Sequence, residues 1–260
     1  MVEGIIMKWR VGTLAVTGLA CALGCSVGDI SSEGKILHVV TYKPRENAHS
    51  EAIQEVERTI RGIPSKAPTM ERFEWGRTDY NDSPQSYFLL VLFNDPQSAY
   101  HDLSYNRATR DVIHLNDLGS LFVMGNSETY LLHDATPHMR NTTHGHLRRV
   151  VWIRLKPNAT LEEMQKFEDA IAALPNRIPT IERLEWGART GYDPLKPKPI
   201  DPAYRNGNYC LLFTFDGTVA RDACLAHPAY EEFQSVLEPY VARQFEREFV
   251  SQVEYIPRPD

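Results

Sequence analysis

The chain repeats itself, and this limits its fold more than any other feature of the sequence. Shifted by 111 residues, His38–Gly76 lies over Arg149–Gly187 without a gap, and 16 of the 39 positions are identical; ordinary composition gives about two or three. Val39-Val40 returns as Val150-Val151. Pro64, Pro68 and Thr69 return as Pro175, Pro179 and Thr180. Glu71-Arg72 and Glu74-Trp75-Gly76 return as Glu182-Arg183 and Glu185-Trp186-Gly187. Past a loop the match resumes at a shift of 122, with Tyr87-Phe88-Leu89-Leu90 over Tyr209-Cys210-Leu211-Leu212, so the second copy carries an insertion of eleven residues.

Each copy reads strand, helix, strand, strand, helix, strand. In the first, Leu37–Tyr42 is β-rich. Ile53, Val56, Ile60 and Ile63 then fall at helical spacing, matched by Met164, Phe167, Ile171 and Leu174 in the second. Thr160 and Glu163 form a capping-box pattern, and Pro64 and Pro175 are expected to stop the first helices. Strands follow at Thr69–Trp75 and Thr180–Trp186, then at Tyr87–Phe93 and Tyr209–Phe215. Second helices are expected over Gln97–Leu118 and Val219–Gln244, the latter interrupted near Pro228, and last strands near Leu121–Leu132 and Glu248–Ile256.

This order is α+β: tandem ferredoxin-like βαββαβ units. One such sheet carries helices on one face only. Two sheets placed face to face bury the other faces, so the units are expected to form one pseudo-dimeric α/β barrel. Val40, Val151, Leu90 and Leu212 are then expected between the sheets. The first unit spans residues 36–132, a polar linker 133–146, and the second unit 147–260.

The first 24 residues read as a signal peptide. Met7-Lys8-Trp9-Arg10 is a short basic start, and Val11–Gly24 is an apolar run too short to span a membrane. Ala22-Leu23-Gly24-Cys25 is similar to a bacterial lipobox, which makes Cys25 the lipidated first residue and 25–35 a tether. The expected location is outside the cytoplasm, as a periplasmic or outer-membrane-anchored lipoprotein, touching membrane only through that anchor. Cys210 and Cys224 then remain as side chains. An oxidising compartment permits a disulfide between them, and two buried small residues is the plainer reading.

The composition, 42% hydrophobic and 24% charged, suits a globular chain with a sizeable core. A formal charge of -6 with no long Lys/Arg run argues against a nucleic-acid partner. His138, His144 and His146 crowd the linker, but no carboxylate or cysteine completes a set at ligand spacing, so no metal is expected. No cofactor is implied.

The repeat resembles the stress-responsive dimeric α+β barrel family, called Dabb. The resemblance rests on His38-Val39-Val40, on the prolines before the second strands and on the two Glu-Trp-Gly runs. It rests most on Leu225-Ala226-His227-Pro228-Ala229-Tyr230-Glu231-Glu232-Phe233, similar to the family's L-x-H-P-x-H-x-x-F. It implies a barrel with a central apolar cavity. Members similar to polyketide cyclases use histidines facing that cavity. Here the corresponding positions hold His38 or Arg149, Phe88 or Cys210, and Ala108 or Tyr230, so only His38 keeps the histidine. The acid/base set is incomplete, which weighs against catalysis.

The ligand-binding candidates are therefore His38, Phe88, Arg149, Cys210 and Tyr230, with Tyr192 and Tyr204 of the insertion as lid candidates. Arg149, Cys210 and Tyr230 are expected to form one asymmetric site in the second copy. Glu74 and Glu185 with Arg72 and Arg183 share one strand face and read as structural ion pairs, while Trp75 and Trp186 read as core. The function expected is binding of a small apolar or aromatic molecule in the barrel cavity. The alternatives are a cofactor-independent enzyme (a polyketide-cyclase-like protein, lyase or monooxygenase) and a packed structural, stress-associated barrel.

Overall fold

The computed structural model describes residues 34–45, 50–66, 69–78, 86–105, 122–134, 146–190 and 207–255. The first unit contains β1 (Ile36–Pro44), α1 (Ser50–Arg61), β2 (Met70–Arg77), β3 (Tyr87–Phe93), α2 (Pro96–Tyr100) and β4 (Phe122–Asp134). The second contains β5 (Leu147–Leu155), α3 (Leu161–Arg177), β6 (Arg183–Arg189), β7 (Asn208–Phe215), α4 (Thr218–Leu225), α5 (Pro228–Leu237), β8 (Val241–Val250) and β9 (Gln252–Tyr255).

Local sequence explains most of these boundaries. Thr160 caps α3 reciprocally: Glu163 N–H donates to its hydroxyl at 3.2 Å, and Thr160 N–H donates to the Glu163 carboxylate at 2.7 Å. Asp95 caps α2 by accepting from the Gln97 and Ser98 backbones, each at 2.8 Å. His227 caps α5, its Nδ1 accepting from Ala229 N–H at 3.1 Å, and Pro228 follows where its missing N–H costs nothing.

Three expected boundaries are corrected. Pro175 does not stop α3; it sits in the last turn, and the helix runs to Arg177. The helix expected to reach Gln244 ends at Leu237, because Pro239 cannot continue it and Val241 already pairs with Leu155 as the start of β8. The β6 strand begins at Arg183, three residues later than its expected start. Of the expected helix Gln97–Leu118, residues 106–118 lie outside the described residues; α2 is followed by a π-helical turn over His101–Tyr105.

The strands form one nine-stranded sheet in the order β8-β5-β7-β6-β4-β1-β3-β2-β9. Two fourth strands reach across the units. β4 pairs with β1 through Ile36↔Leu131 and with β6 through Tyr130↔Arg189. β8 pairs with β5, and past Ser251 its continuation β9 pairs with β2, so the sheet closes on itself.

Both crossings occur at the repeated glycine. A Cβ on Gly187 would lie 2.3 Å from the Leu131 carbonyl oxygen, and one on Gly76 would lie 2.5 Å from that of Val250. Glycine is required at both positions because the other unit's last strand passes there.

The core has three layers. One cluster packs Val56, Ile60 and Ile63 of α1 and the turn after it onto Ile36, Val40, Phe73 and Trp75. A second packs Phe167, Ile171 and Leu174 of α3 with Tyr230 and Phe233 of α5 onto Val151, Leu184 and Trp186. The third lies inside the barrel and draws only on strands, among them Leu37, Val39, Leu90, Val150 and Leu212. Leu90 and Leu212 therefore both lie inside the barrel, as expected. Val40 and Val151 do not: they face the helices, because side chains alternate along a strand and both lie one residue out of phase with the interior set.

Candidate functional site

The parity that moves Val40 and Val151 outward also divides the candidate ligand residues between the two faces of the sheet. Phe88 and Cys210 line the barrel interior. His38 lies on the helix side, buried, with its Nδ1 3.0 Å from the Thr129 hydroxyl.

Arg149 is also on the helix side. It is held by Glu248 at 2.5 Å and by Glu246, with Arg221 pairing Glu248 from α4. Burial would lower its pKa, but Tyr230, Glu248 and Glu246 keep it raised. Tyr230 packs beside it in the helix-side core.

The expected site of Arg149, Cys210 and Tyr230 is therefore not brought together. Arg149 and Tyr230 meet on one face of the sheet and Cys210 lies on the other. The same division separates Cys210 from Cys224; both thiols are free, and burial pushes both pKa values up, that of Cys224 to about 11. Cys25, Tyr192, Tyr204, Ala108, His138 and His144 lie outside the described residues. His146 lies 2.7 Å from Glu182.

One end of the barrel is filled by charge. Arg72 donates from Nη2 to both oxygens of Glu185 at 2.8 Å each, and its Nε lies 2.9 Å from Glu74. Arg148 donates from Nε to Glu74 at 2.7 Å and also reaches Thr214; Ser251 donates to Glu74 at 2.9 Å, and Arg183 lies 3.2 Å from Glu185. The pairs expected within each copy thus extend across the copies. Burial alone would raise the Glu185 pKa, but Arg183, Arg72 and Arg148 bring it down to about 2. Glu74 is likewise lowered, against burial, by Arg148 and Arg72.

The other end opens into a cavity of ≈ 560 Å³, within the size range of small-molecule sites. An aromatic wall leads into it. Phe249 stacks on Phe88 at 5.3 Å between ring centroids, Phe88 meets Trp152 at 5.9 Å, and Trp152 meets Phe245 at 5.0 Å. Tyr130 adds a phenol whose hydroxyl donates to Glu128, and Arg189 lies 3.3 Å from that carboxylate. Lys43, Arg154, Arg243 and Arg247 complete a cationic rim. Trp152 is 8% exposed, and its Nε1–H has no acceptor among the described residues. The inserted loop leaves the described chain after Thr190 and rejoins it at Gly207, next to Arg189 and Asn208 of the rim.

Sequence reasoning missed Lys43, Trp152, Glu128, Tyr130 and the arginines. A signal for two of them was present: Lys43 and Arg154 occupy the same repeat position, two residues beyond Thr41 and Trp152 on the interior-facing phase. Among the described residues no three His, Cys, Asp or Glu side chains gather as a metal site.

A closed sheet of paired ferredoxin-like units with helices outside and a cavity at one end defines an α+β barrel protein. Residues 147–251, within the second unit, match the family described as the stress responsive A/B barrel domain, Dabb. No curated protein matches the chain.

Among solved structures, a monooxygenase-like protein of Fusobacterium nucleatum superposes with a TM-score of 0.62 at 10% identity, over 86% of this chain and 95% of that one. A monooxygenase-like protein of Lactobacillus acidophilus gives 0.56 at 14% identity, over 86% and 97%. An anthrone oxidase-like protein gives 0.54 at 11% identity, over 86% and 95%. At these identities the likeness is one of fold.

Proposed function

We propose that this protein binds a small, largely aromatic molecule in the open end of its barrel. The observation that carries this reading is the ≈ 560 Å³ cavity walled by Phe88, Tyr130, Trp152 and Phe245. The packed-barrel alternative needs that space to be filled by side chains. Trp152 supplies a broad ring face and a buried N–H awaiting an acceptor, a combination suited to orienting an aromatic ligand.

The test is isothermal titration calorimetry with a neutral bicyclic probe, 2-naphthalenemethanol. Saturable 1:1 binding that weakens at least about tenfold in Trp152→Leu, with unfolding still cooperative, supports the reading. Absence of saturable binding at millimolar concentration, both of this probe and of its carboxylate isostere 2-naphthoate, contradicts it. Export and tethering through a lipid on Cys25 belong to the same proposal, supported by the apolar segment and the lipobox-like Ala22-Leu23-Gly24-Cys25.

A further inference from the structure

The cavity mouth carries a charge imbalance that a neutral ligand would leave unused. The chain as a whole has a formal charge of -6, yet among the described residues the cavity is lined by Lys43, Arg154, Arg189, Arg243 and Arg247 against the single carboxylate of Glu128. Two of those cations are engaged. Arg189 sits on Glu128, and the Arg247 guanidinium stacks 4.5 Å above the Phe245 ring. Lys43, Arg154 and Arg243 have no carboxylate within ion-pair distance among the described residues.

Two of these three oppose each other. In the β5–β8 register Arg154 lies directly across from Arg243, and like charges facing each other on neighbouring strands are destabilising. Lys43, the repeat equivalent of Arg154, brings the third cation from the other unit, so the charge straddles the seam between the units. One repeat step inward sits Trp152, facing Phe245 in the same register, with its buried indole N–H unpaired among the described residues. A like-charged pair at the rim, an apolar wall behind it and a donor in that wall match one kind of molecule.

We infer that the cavity selects amphiphilic anions: its ligand is an aromatic acid whose ring lies against Phe88, Trp152 and Phe245 and whose carboxylate is held by Arg154, Arg243 and Lys43. This rests on the cavity reading above and adds the charge of the ligand and its orientation, acid outward. A carboxylate between Arg154 and Arg243 turns a repulsive pair into a bridged one, and a guanidinium fork suits it geometrically. The three cations are solvent-exposed, so the preference is screened by salt.

The experiment compares three isosteric probes by calorimetry on the full chain: 2-naphthoate, 2-naphthalenemethanol and 2-naphthylmethylamine. At low ionic strength 2-naphthoate is expected to bind about tenfold or more tighter than the alcohol, with the amine weakest, and the gap is expected to narrow in 0.5 M salt, a concentration chosen so that the Debye length falls below about 5 Å. Arg154→Gln with Arg243→Gln is expected to close the gap by weakening the acid. Equal affinities for acid and alcohol, or a gap that survives the double substitution, overturn the inference and leave the cavity reading standing. Failure of all three probes to bind overturns both.

Discussion

Arg72 of the first unit grips Glu185 of the second through both carboxylate oxygens, at 2.8 Å each, inside the barrel. The two residues stand 113 positions apart, and each belongs to the Arg-x-Glu run that the repeat duplicates. The contact is therefore a bond between the halves. With Arg148, Arg183 and Glu74 it places three guanidinium groups around two carboxylates, so each anion is compensated and no carboxylate is left buried alone.

Removing one carboxylate strands the surrounding cations. Glu185→Gln is expected to destabilise the protein by about 3–5 kcal/mol, the usual consequence of breaking a buried pair, measured by chemical denaturation. The sign of the pH dependence follows from a depressed pKa: the contribution of Glu185 is complete above 4.5 and is lost as pH falls toward about 2. Wild-type stability should therefore fall over that interval more steeply than that of Glu185→Gln. Equal slopes would contradict the network's charge state.

Gly187 marks the place where β4 crosses onto the second unit. Gly187→Ala sets a methyl group against the Leu131 carbonyl, 2.3 Å from an ideal Cβ. Backbone cannot yield there as a flexible side chain would. The expected loss is about 2–3 kcal/mol, at the upper end for overpacking, read as a lowered denaturation midpoint. A shift within error would mean that the strand crossing is looser than described.

The proposed anchor predicts a fractionation result. Wild-type protein made in a bacterial host with its leader should pellet with membranes and carry a lipid at Cys25, and Cys25→Ser should abolish the modification. An unmodified mature start elsewhere, found by mass spectrometry, would reject the anchor.

The fold was legible because duplication doubles every signal. A proline, a Glu-Trp-Gly run or an apolar period that occurs twice at one spacing is hard to mistake, and the paired units with their helices outside follow from it. The last strands were harder. Val241–Val250 alternates Arg243, Phe245, Arg247 and Phe249 on one face, a period of two, yet the apolar helix before it invites extension, and only the pairing with β5 decides.

His38 and Arg149 were set in the cavity by family resemblance, and a one-residue error of phase turns every side chain of a strand to the opposite face. With the phase corrected, Trp152 and Arg154 replace Arg149. Glu128, Tyr130 and Arg189 could not be found locally, since they reach the cavity only through the β4–β6 pairing between units.

Whether the open end of the barrel holds a small aromatic ligand is read from the indole N–H resonances of ¹⁵N-labelled protein during titration with 2-naphthoate. Trp152 lines the cavity, whereas Trp75 and Trp186 pack on the helix faces of the two halves of the sheet. The Trp152 resonance, assigned by its loss in Trp152→Phe, is expected to move saturably while those of Trp75 and Trp186 stay in place. A Trp152 resonance unmoved at millimolar probe, or saturable movement confined to Trp75 or Trp186, would contradict it.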